Sequence, residues 1–330
     1  MNMVTPLSGS GGNVYLNSYL APFETWLAAD DVTEILVNQP HELWVERMGA
    51  DEMERHDVPA IDAQLLERLA QQVARISHQG INRESPLLAA VLPGGARIQI
   101  VLPPATRGSV AIAIRKHVLH DMTVDGYLAQ CRYGPLNETD PAQSLSALLE
   151  KGDLSAFLKK AVAMRKTILL SGGTSSGKTT LLNALLKEIP QNERVIAIED
   201  TPEIKLHRNN SVGLVAVSGD QGEARVTIEE LMRASLRMRP DRLIVGELRG
   251  AETVTFLRAI NTGHPGSIST IHASTTKGAF EQLALMCMQA DLGLSRSDTI
   301  DYARSMIDII VQLDRKNGQR SIADIQFKGD

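Results

Sequence analysis

Eight consecutive residues, Gly172, Gly173, Thr174, Ser175, Ser176, Gly177, Lys178 and Thr179, fit the spacing G-x-x-x-x-G-K-[ST]. Glycines in that pattern let the backbone curl so that its N–H groups face an anion. The lysine adds an ammonium that reaches the β- and γ-phosphates of a nucleotide, and the Thr179 hydroxyl is a hard oxygen donor for Mg²⁺. An apolar run, Ile168, Leu169 and Leu170, precedes the loop, and an amphipathic helical stretch containing Thr180 follows it. The N-terminus of that helix adds its dipole to the phosphate site. The chemistry expected here is binding of ATP with Mg²⁺ and its hydrolysis. The base-reading sequence N-K-x-D is absent, which counts against GTP.

Three groups of residues stand where they could act on such a nucleotide. Glu199 and Asp200 close the apolar run of residues 195–198, with Glu203 after a Pro turn. Carboxylates at the C-terminal end of a parallel strand face the ligand crevice, where they hold metal-bound water or orient the attacking water. Glu247 ends a second run, Leu243-Ile244-Val245-Gly246-Glu247, in which Gly246 takes the place of the usual Mg²⁺-binding Asp. That leaves Glu247 to polarise water or to hold the metal through water. His264 and His272 bracket a strand-like segment and are candidate sensors of the γ-phosphate. No third or fourth ligand clusters with them, so zinc is not expected.

These residues need elements to position them. In the second half, apolar runs at residues 167–171, 195–199 and 243–247 and a further strand candidate at 267–271 alternate with helical patterns at 178–189, 228–238, 251–261 and 277–288. Alternation of that kind predicts an α/β domain with a mostly parallel sheet. Runs at 307–315 and 320–327 bracket Lys316-Asn317-Gly318-Gln319, a hairpin signal. The first half predicts a helix over 15–28, short strands at 34–38 and 42–46, a helix over 61–77, and strands at 97–102 and 109–116. The expected organisation is a mobile tail at 1–14, a small α+β domain at 15–118, a linker with short helices at 119–155 and the nucleotide-binding domain at 156–330.

Composition narrows the class. The 330 residues carry a net charge of −5, and aromatics make up 4%, so nucleic acid is not an expected direct ligand. Cys131 and Cys287 are far apart and match no metal spacing. No run of 18 apolar residues exists, and no basic stretch leads into an apolar one near residue 1, so a cytoplasmic location is expected.

Four segments then come in a fixed order: residues 171–180, Ile198-Glu199-Asp200-Thr201, residues 239–250, and Asn261-Thr262-Gly263-His264 with Ile271-His272-Ala273. They resemble the Walker A, Asp, Walker B and His boxes of the secretion traffic ATPases, a superfamily whose Walker B segment itself carries Gly-Glu. The first half, with residues 33–40, Pro93-Gly94-Gly95-Ala96-Arg97-Ile98-Gln99-Ile100 and Ala113-Ile114-Arg115-Lys116, is similar to the VirB-type ATPase of type IV secretion systems, the eleventh VirB component. The resemblance implies a RecA-like P-loop domain behind a smaller N-terminal domain, arranged as a homohexamer at the cytoplasmic face of the bacterial inner membrane. It would work there with inner-membrane secretion components, joined to the membrane through them. It also implies that Arg97 and Arg115 are nucleotide-binding, and that Arg237, Arg239 or Arg249 could act across a subunit boundary. Pilus-assembly and twitching ATPases share the C-terminal boxes and are the nearest alternative, although type II and pilus-extension members usually carry a four-cysteine zinc element that is missing here. A RecA-like nucleic-acid motor and a nucleotide-gated scaffold are the readings from other classes.

Overall fold

The computed structural model describes residues 12–116, 144–217, 224–290 and 295–329. Residues 1–11 of the expected tail, Cys131 and residues 119–143 of the expected linker lie outside them. The chain divides into two units, one of residues 1–118, 200–202 and 210–239, the other of residues 119–199, 203–209 and 240–330.

The first unit opens with helices α1 (Gly12–Leu20) and α2 (Glu24–Ala28). A single 15–28 helix was the expectation. Pro22, which lacks an N–H, instead sits in a 3₁₀ turn, Ala21–Phe23, between the two. Strands β1 (Val32–Val37), β2 (Glu42–Arg47) and β3 (Glu54–Asp57) precede helix α3 (Ala63–Ile76), and β4 (Leu87–Val91), β5 (Arg97–Val101) and β6 (Ala111–Arg115) follow it. They form one antiparallel sheet in the order β3-β2-β1-β6-β5-β4. Strands alternate faces, so Ile35, Val37, Leu43, Val45, Ile98, Ile100, Ile112 and Ile114 share one apolar face. Leu66, Leu69 and Val73, one stripe of α3, cover it. The Asp62 carboxylate caps α3 by accepting from the Leu65 N–H at 2.7 Å. The β3 sequence Glu-Arg-His-Asp carries no apolar signal; it is an exposed edge strand held through its backbone to β2.

In the second unit α4 (Leu145–Glu150) and α5 (Leu154–Ala163) lead to β7 (Ile168–Gly172), α6 (Lys178–Leu186) and β8 (Val195–Glu199). Two elements of the first unit come next, β9 (Ser211–Val215) and α7 (Ile228–Ser235). The backbone of β9 bonds to the turn before β6, where the Arg107 N–H donates to the Gly213 carbonyl at 3.0 Å. The second unit resumes with β10 (Arg242–Leu248), α8 (Glu252–Asn261), β11 (Ile268–Ile271), α9 (Thr276–Met288), α10 (Arg296–Met306), β12 (Ile309–Lys316) and β13 (Gln319–Phe327). Its strands run β13-β12-β7-β11-β10-β8. All these neighbours are parallel except the β12–β13 hairpin. The expected mostly parallel α/β sheet is therefore present. Ile168, Leu170, Ala197, Ile244, Ile268 and Val311 pack with Phe157 and Ala161 of α5 and Leu182 and Leu185 of α6.

The amino ends of the strands carry a buried ion pair. Arg242 is fully buried and its Nη2 donates to Glu193 Oε1 at 3.0 Å, while Arg165 approaches the other oxygen at 3.3 Å. Burial pushes the Glu193 carboxyl up, but the Arg242 and Arg165 guanidiniums outweigh it and hold the group below its ordinary value of 4.5. A depressed carboxyl pKa contributes stability that is complete above the unfolded-state value and is lost as pH falls through the folded one. Glu193→Ala, which leaves Arg242 buried and unpaired, is expected to cost about 3–5 kcal/mol in denaturant unfolding at neutral pH. The wild-type unfolding midpoint should fall on acidification below about pH 4.5, with a smaller fall in Glu193→Gln.

Candidate nucleotide-binding site

Parallel strands in register bring their carboxyl ends to one edge of the sheet. Ile168 of β7 aligns with Ile268 of β11, Ile244 of β10 also aligns with Ile268, and Val245 aligns with Ile198 of β8. Gly172, Glu199, Glu247 and His272 end these strands or follow them directly, and all stand along that edge. Crevices at such edges are where open α/β sheets bind ligands.

The loop between β7 and α6 has the geometry of an anion cradle. The Lys178 ammonium turns back to donate to the carbonyls of Gly172 at 2.8 Å and Gly173 at 3.0 Å. Ser175 and Gly177 have left-handed backbone, with φ of 59° and 99°. Gly172 is obligatory in a different sense: a Cβ there would stand 2.5 Å from Ser176 Oγ and 2.7 Å from the Leu313 carbonyl oxygen. Helices α3, α4, α5, α7, α9 and α10 each have an Asp, Ser or Thr side chain capping the first turn. The N-cap of α6 is Gly177, which offers no such oxygen, so the first N–H groups of this helix are left for a ligand. Gly173, Thr174, Ser175 and Thr180 are exposed along the cradle, Thr179 is half-buried in the first turn of α6, and Ser176 is buried. Burial pulls the Lys178 ammonium below its ordinary pKa, with Glu247 opposing and Arg249 adding to the shift.

Glu247 has a nitrogen-bearing neighbour beside each oxygen, although among the described residues only Oε2 accepts a hydrogen bond. Arg249 Nη2 donates to Oε2 at 2.6 Å, and His272 Nε2 lies 2.9 Å from Oε1. Beside it, Gly246 leaves space that a neighbour uses: a Cβ there would meet Glu199 Cγ at 3.1 Å. The Glu199 carboxylate folds into its own loop, accepting from the backbone N–H of Glu203 at 2.9 Å and of Ile204 at 2.7 Å. The Glu203 side chain is exposed, and its carbonyl accepts from Asn183 Nδ2 at 3.1 Å. Asp200, also exposed, accepts from the Thr201 N–H at 2.9 Å.

The two histidines separate. His272 follows β11 at the carboxyl edge. His264 precedes β11, on the side where Arg242 begins β10 and donates to the Gly266 carbonyl, and its Nδ1 lies 3.0 Å from the Ala259 carbonyl at the end of α8. Arg97 and Arg115 belong to the first unit, directly opposite one another on β5 and β6. Both are exposed in an open cleft of about 600 Å³ that also contains Arg47, Lys116, Glu34 and Glu46, and Arg115 Nε is 3.6 Å from the Glu34 carboxylate.

The donors fit a hard cation: a hydroxyl at Thr179 and a carboxylate at Glu247 are oxygen ligands of the kind Mg²⁺ uses together with phosphates. Among the described residues no group of three or more His, Cys, Asp or Glu could form a closed metal site. Sequence reasoning missed Asn183 and Arg249 as partners of the acidic residues. Arg249 lies two residues beyond Glu247, the spacing of one face of a strand.

The chain matches the family described as Type II/IV secretion system protein over residues 17–323. It is 38% identical over 327 residues to the type IV secretion system protein VirB11 of Bartonella quintana (strain Toulouse), spanning 93% of this chain and 91% of that protein. It is 39% identical over 330 residues to the type IV secretion system protein PtlH of Bordetella pertussis, spanning 94% of each. Among solved structures, the VirB11 ATPase of the Brucella suis type IV secretion system, crystallised in complex with sulphate, superposes with a TM-score of 0.88 at 36% identity. That match spans 96% of this chain and 95% of that one.

Glu199→Ala is expected to release two backbone N–H groups, that of Ile204 being buried, and to lower unfolding free energy by about 1–3 kcal/mol. Glu199→Gln, which keeps an acceptor oxygen, should lose less in the same denaturant titration.

Proposed function

The chain belongs to the type II/IV secretion system protein family, as a VirB11-type ATPase of type IV secretion, and on that premise we propose a ring of six subunits driven by Mg²⁺-dependent ATP hydrolysis. The observation that carries the catalytic part is the convergence of Lys178, Glu247 and His272 with an uncapped helix N-terminus at one sheet edge. The loop residues 172–180 hold the phosphates through backbone N–H groups and Lys178. The Thr179 hydroxyl, and Glu247 through water, would hold magnesium, which would supply charge neutralisation on the phosphates.

Glu247 is the proposed water-activating base. Arg249 donates to one of its oxygens and His272 stands 2.9 Å from the other; phosphate oxygens compete for the Arg249 guanidinium and for the neighbouring His272, leaving the carboxylate to take a proton from water. His272 thereby reads the phosphate directly, a role the position of His264 at the opposite edge does not support. Glu199 positions the loop that carries Glu203, while Asp200 and Glu203 remain exposed for metal-bound water. Arg97 and Arg115 are the proposed second source of guanidinium charge for the triphosphate, a fork geometry suited to phosphate oxygens. Residues 15–118 and 156–330 are the proposed domains, joined through the segment 119–155.

The ring is proposed to power assembly of, or substrate transport through, a type IV secretion system. Among the described residues no helix is long and apolar enough to cross a membrane. Attachment to the cytoplasmic face of the inner membrane is therefore assigned to membrane-embedded partners of the same machine.

Hydrolysis measured against protein concentration, with sizing of the same samples, tests this reading. Turnover per subunit should rise as a roughly sixfold assembly forms, require Mg²⁺, and vanish in Lys178→Ala. Glu247→Gln should lower kcat by about 100-fold or more with ADP binding retained. A stable monomer with constant turnover would overturn the ring, and full activity in Glu247→Gln would remove the base.

A further inference from the structure

The β12–β13 hairpin overhangs the phosphate loop at two points. Leu313 pairs with Gly172, its carbonyl oxygen 2.7 Å from where a Cβ would stand. At Gly177 the covering group is a side chain: Arg320 places Cδ 3.0 Å, Nε 3.5 Å and Cζ 3.9 Å from the corresponding position. An exposed guanidinium therefore rests on the N-cap of α6, beside Lys178 and at the positive end of the helix dipole.

Arg320 has no hydrogen-bond or ion-pair partner among the described residues. Its cross-strand neighbour is Arg315, directly opposite in the hairpin register and also exposed. Like charges facing each other across two strands are destabilising, as is a cation at a helix N-terminus. Both costs reverse sign when a polyanion lies on the loop.

We propose that Arg320 is a nucleotide-contacting residue, its guanidinium binding the phosphates that ATP and ADP share. This rests on the reading that the loop holds ATP. The assignment to the shared phosphates follows from position. Lys178 reaches back to the Gly172 and Gly173 carbonyls, into the field of Glu247, where the terminal phosphate is cleaved. Arg320 rests instead on Gly177, one of the loop residues whose backbone N–H groups cradle the inner phosphates. A guanidinium there adds affinity without adding to the chemical step.

The test is calorimetric titration of the full chain with ADP and with inorganic tripolyphosphate, beside ATP kinetics, for wild type, Arg320→Ala and Arg320→Lys. Arg320→Ala should weaken ADP and tripolyphosphate alike, by about tenfold, with a matching rise in KM and kcat changed by no more than about twofold. Arg320→Lys should recover part of the loss, because a point charge lacks the fork. Without nucleotide, Arg320→Lys should melt with wild type and Arg320→Ala at the same temperature or slightly higher, because the exposed charge it removes faces Arg315 and a helix N-terminus. Unchanged ADP affinity, or a loss for ADP with none for tripolyphosphate, would overturn the proposal; the second result would move the contact to base or sugar. A fall in kcat at constant KM would overturn it too, placing Arg320 at the cleaved end. Wild-type protein that binds neither ADP nor tripolyphosphate would instead defeat the underlying nucleotide reading.

Discussion

One ammonium and two carbonyls set the geometry on which the nucleotide site depends. The Lys178 contacts to Gly172 and Gly173 turn those carbonyls inward, so the N–H groups of the following residues turn toward the ligand space. The loop can close this way because Gly177 adopts a left-handed conformation that other residues reach only with strain. It can do so in a buried setting because Gly172 has no side chain to strike the Leu313 carbonyl. Burial then acts on the lysine itself, favouring loss of its proton, a tendency that phosphate charge would reverse.

The helix that begins at this loop is tied to the acidic loop along its length. Near its middle, Asn183 donates to the Glu203 carbonyl at 3.1 Å and accepts from the Lys205 N–H at 2.7 Å. Past its C-terminus, the Arg208 guanidinium donates to the carbonyls of Leu186, Ile189, Pro190 and Glu193. Those carbonyls lie past the last helical hydrogen bonds, and a buried cation is a favourable partner for them. Glu199 supplies the opposite charge at the start of the same loop. The phosphate helix and residues 203–208 thus form one hydrogen-bonded piece.

Much of this was legible in the residues and some was not, for reasons that differ element by element. The strands β7, β8 and β10 announce themselves because strands buried on both faces read as largely continuous apolar runs. The glycine–lysine spacing names its own chemistry. The strand β3 and the helix α10, whose sequences are mostly polar or charged, give periodicity little to register; pairing and ion pairs with β2 define the first and packing against α9 the second. Gly246 reads in sequence as a missing carboxylate. In three dimensions it is the space that Glu199 occupies, a fact that spacing along one strand cannot express. The two histidines look equivalent in sequence, and only strand direction separates them. Arg320 was silent because it is one charged residue in a hairpin, and its meaning comes from Gly177, more than a hundred residues away in sequence.

Charge illustrates the same point at a larger scale. The net value of −5 describes an acidic protein, yet the loop region gathers Lys178, Arg249 and Arg320 around a helix N-terminus. Coulomb interactions act over a Debye length of about 8 Å at physiological salt, so a ligand in the cradle responds to these groups and hardly to distant carboxylates. Glu247 is the near carboxylate, and it is neutralised by Arg249 on one side and faces His272 on the other. The edge therefore presents positive charge to an anion while holding one carboxylate in reserve. That division, cations to bind and a restrained carboxylate to act as base, is what a site for cleaving a phosphoanhydride requires, and it is invisible in the sum.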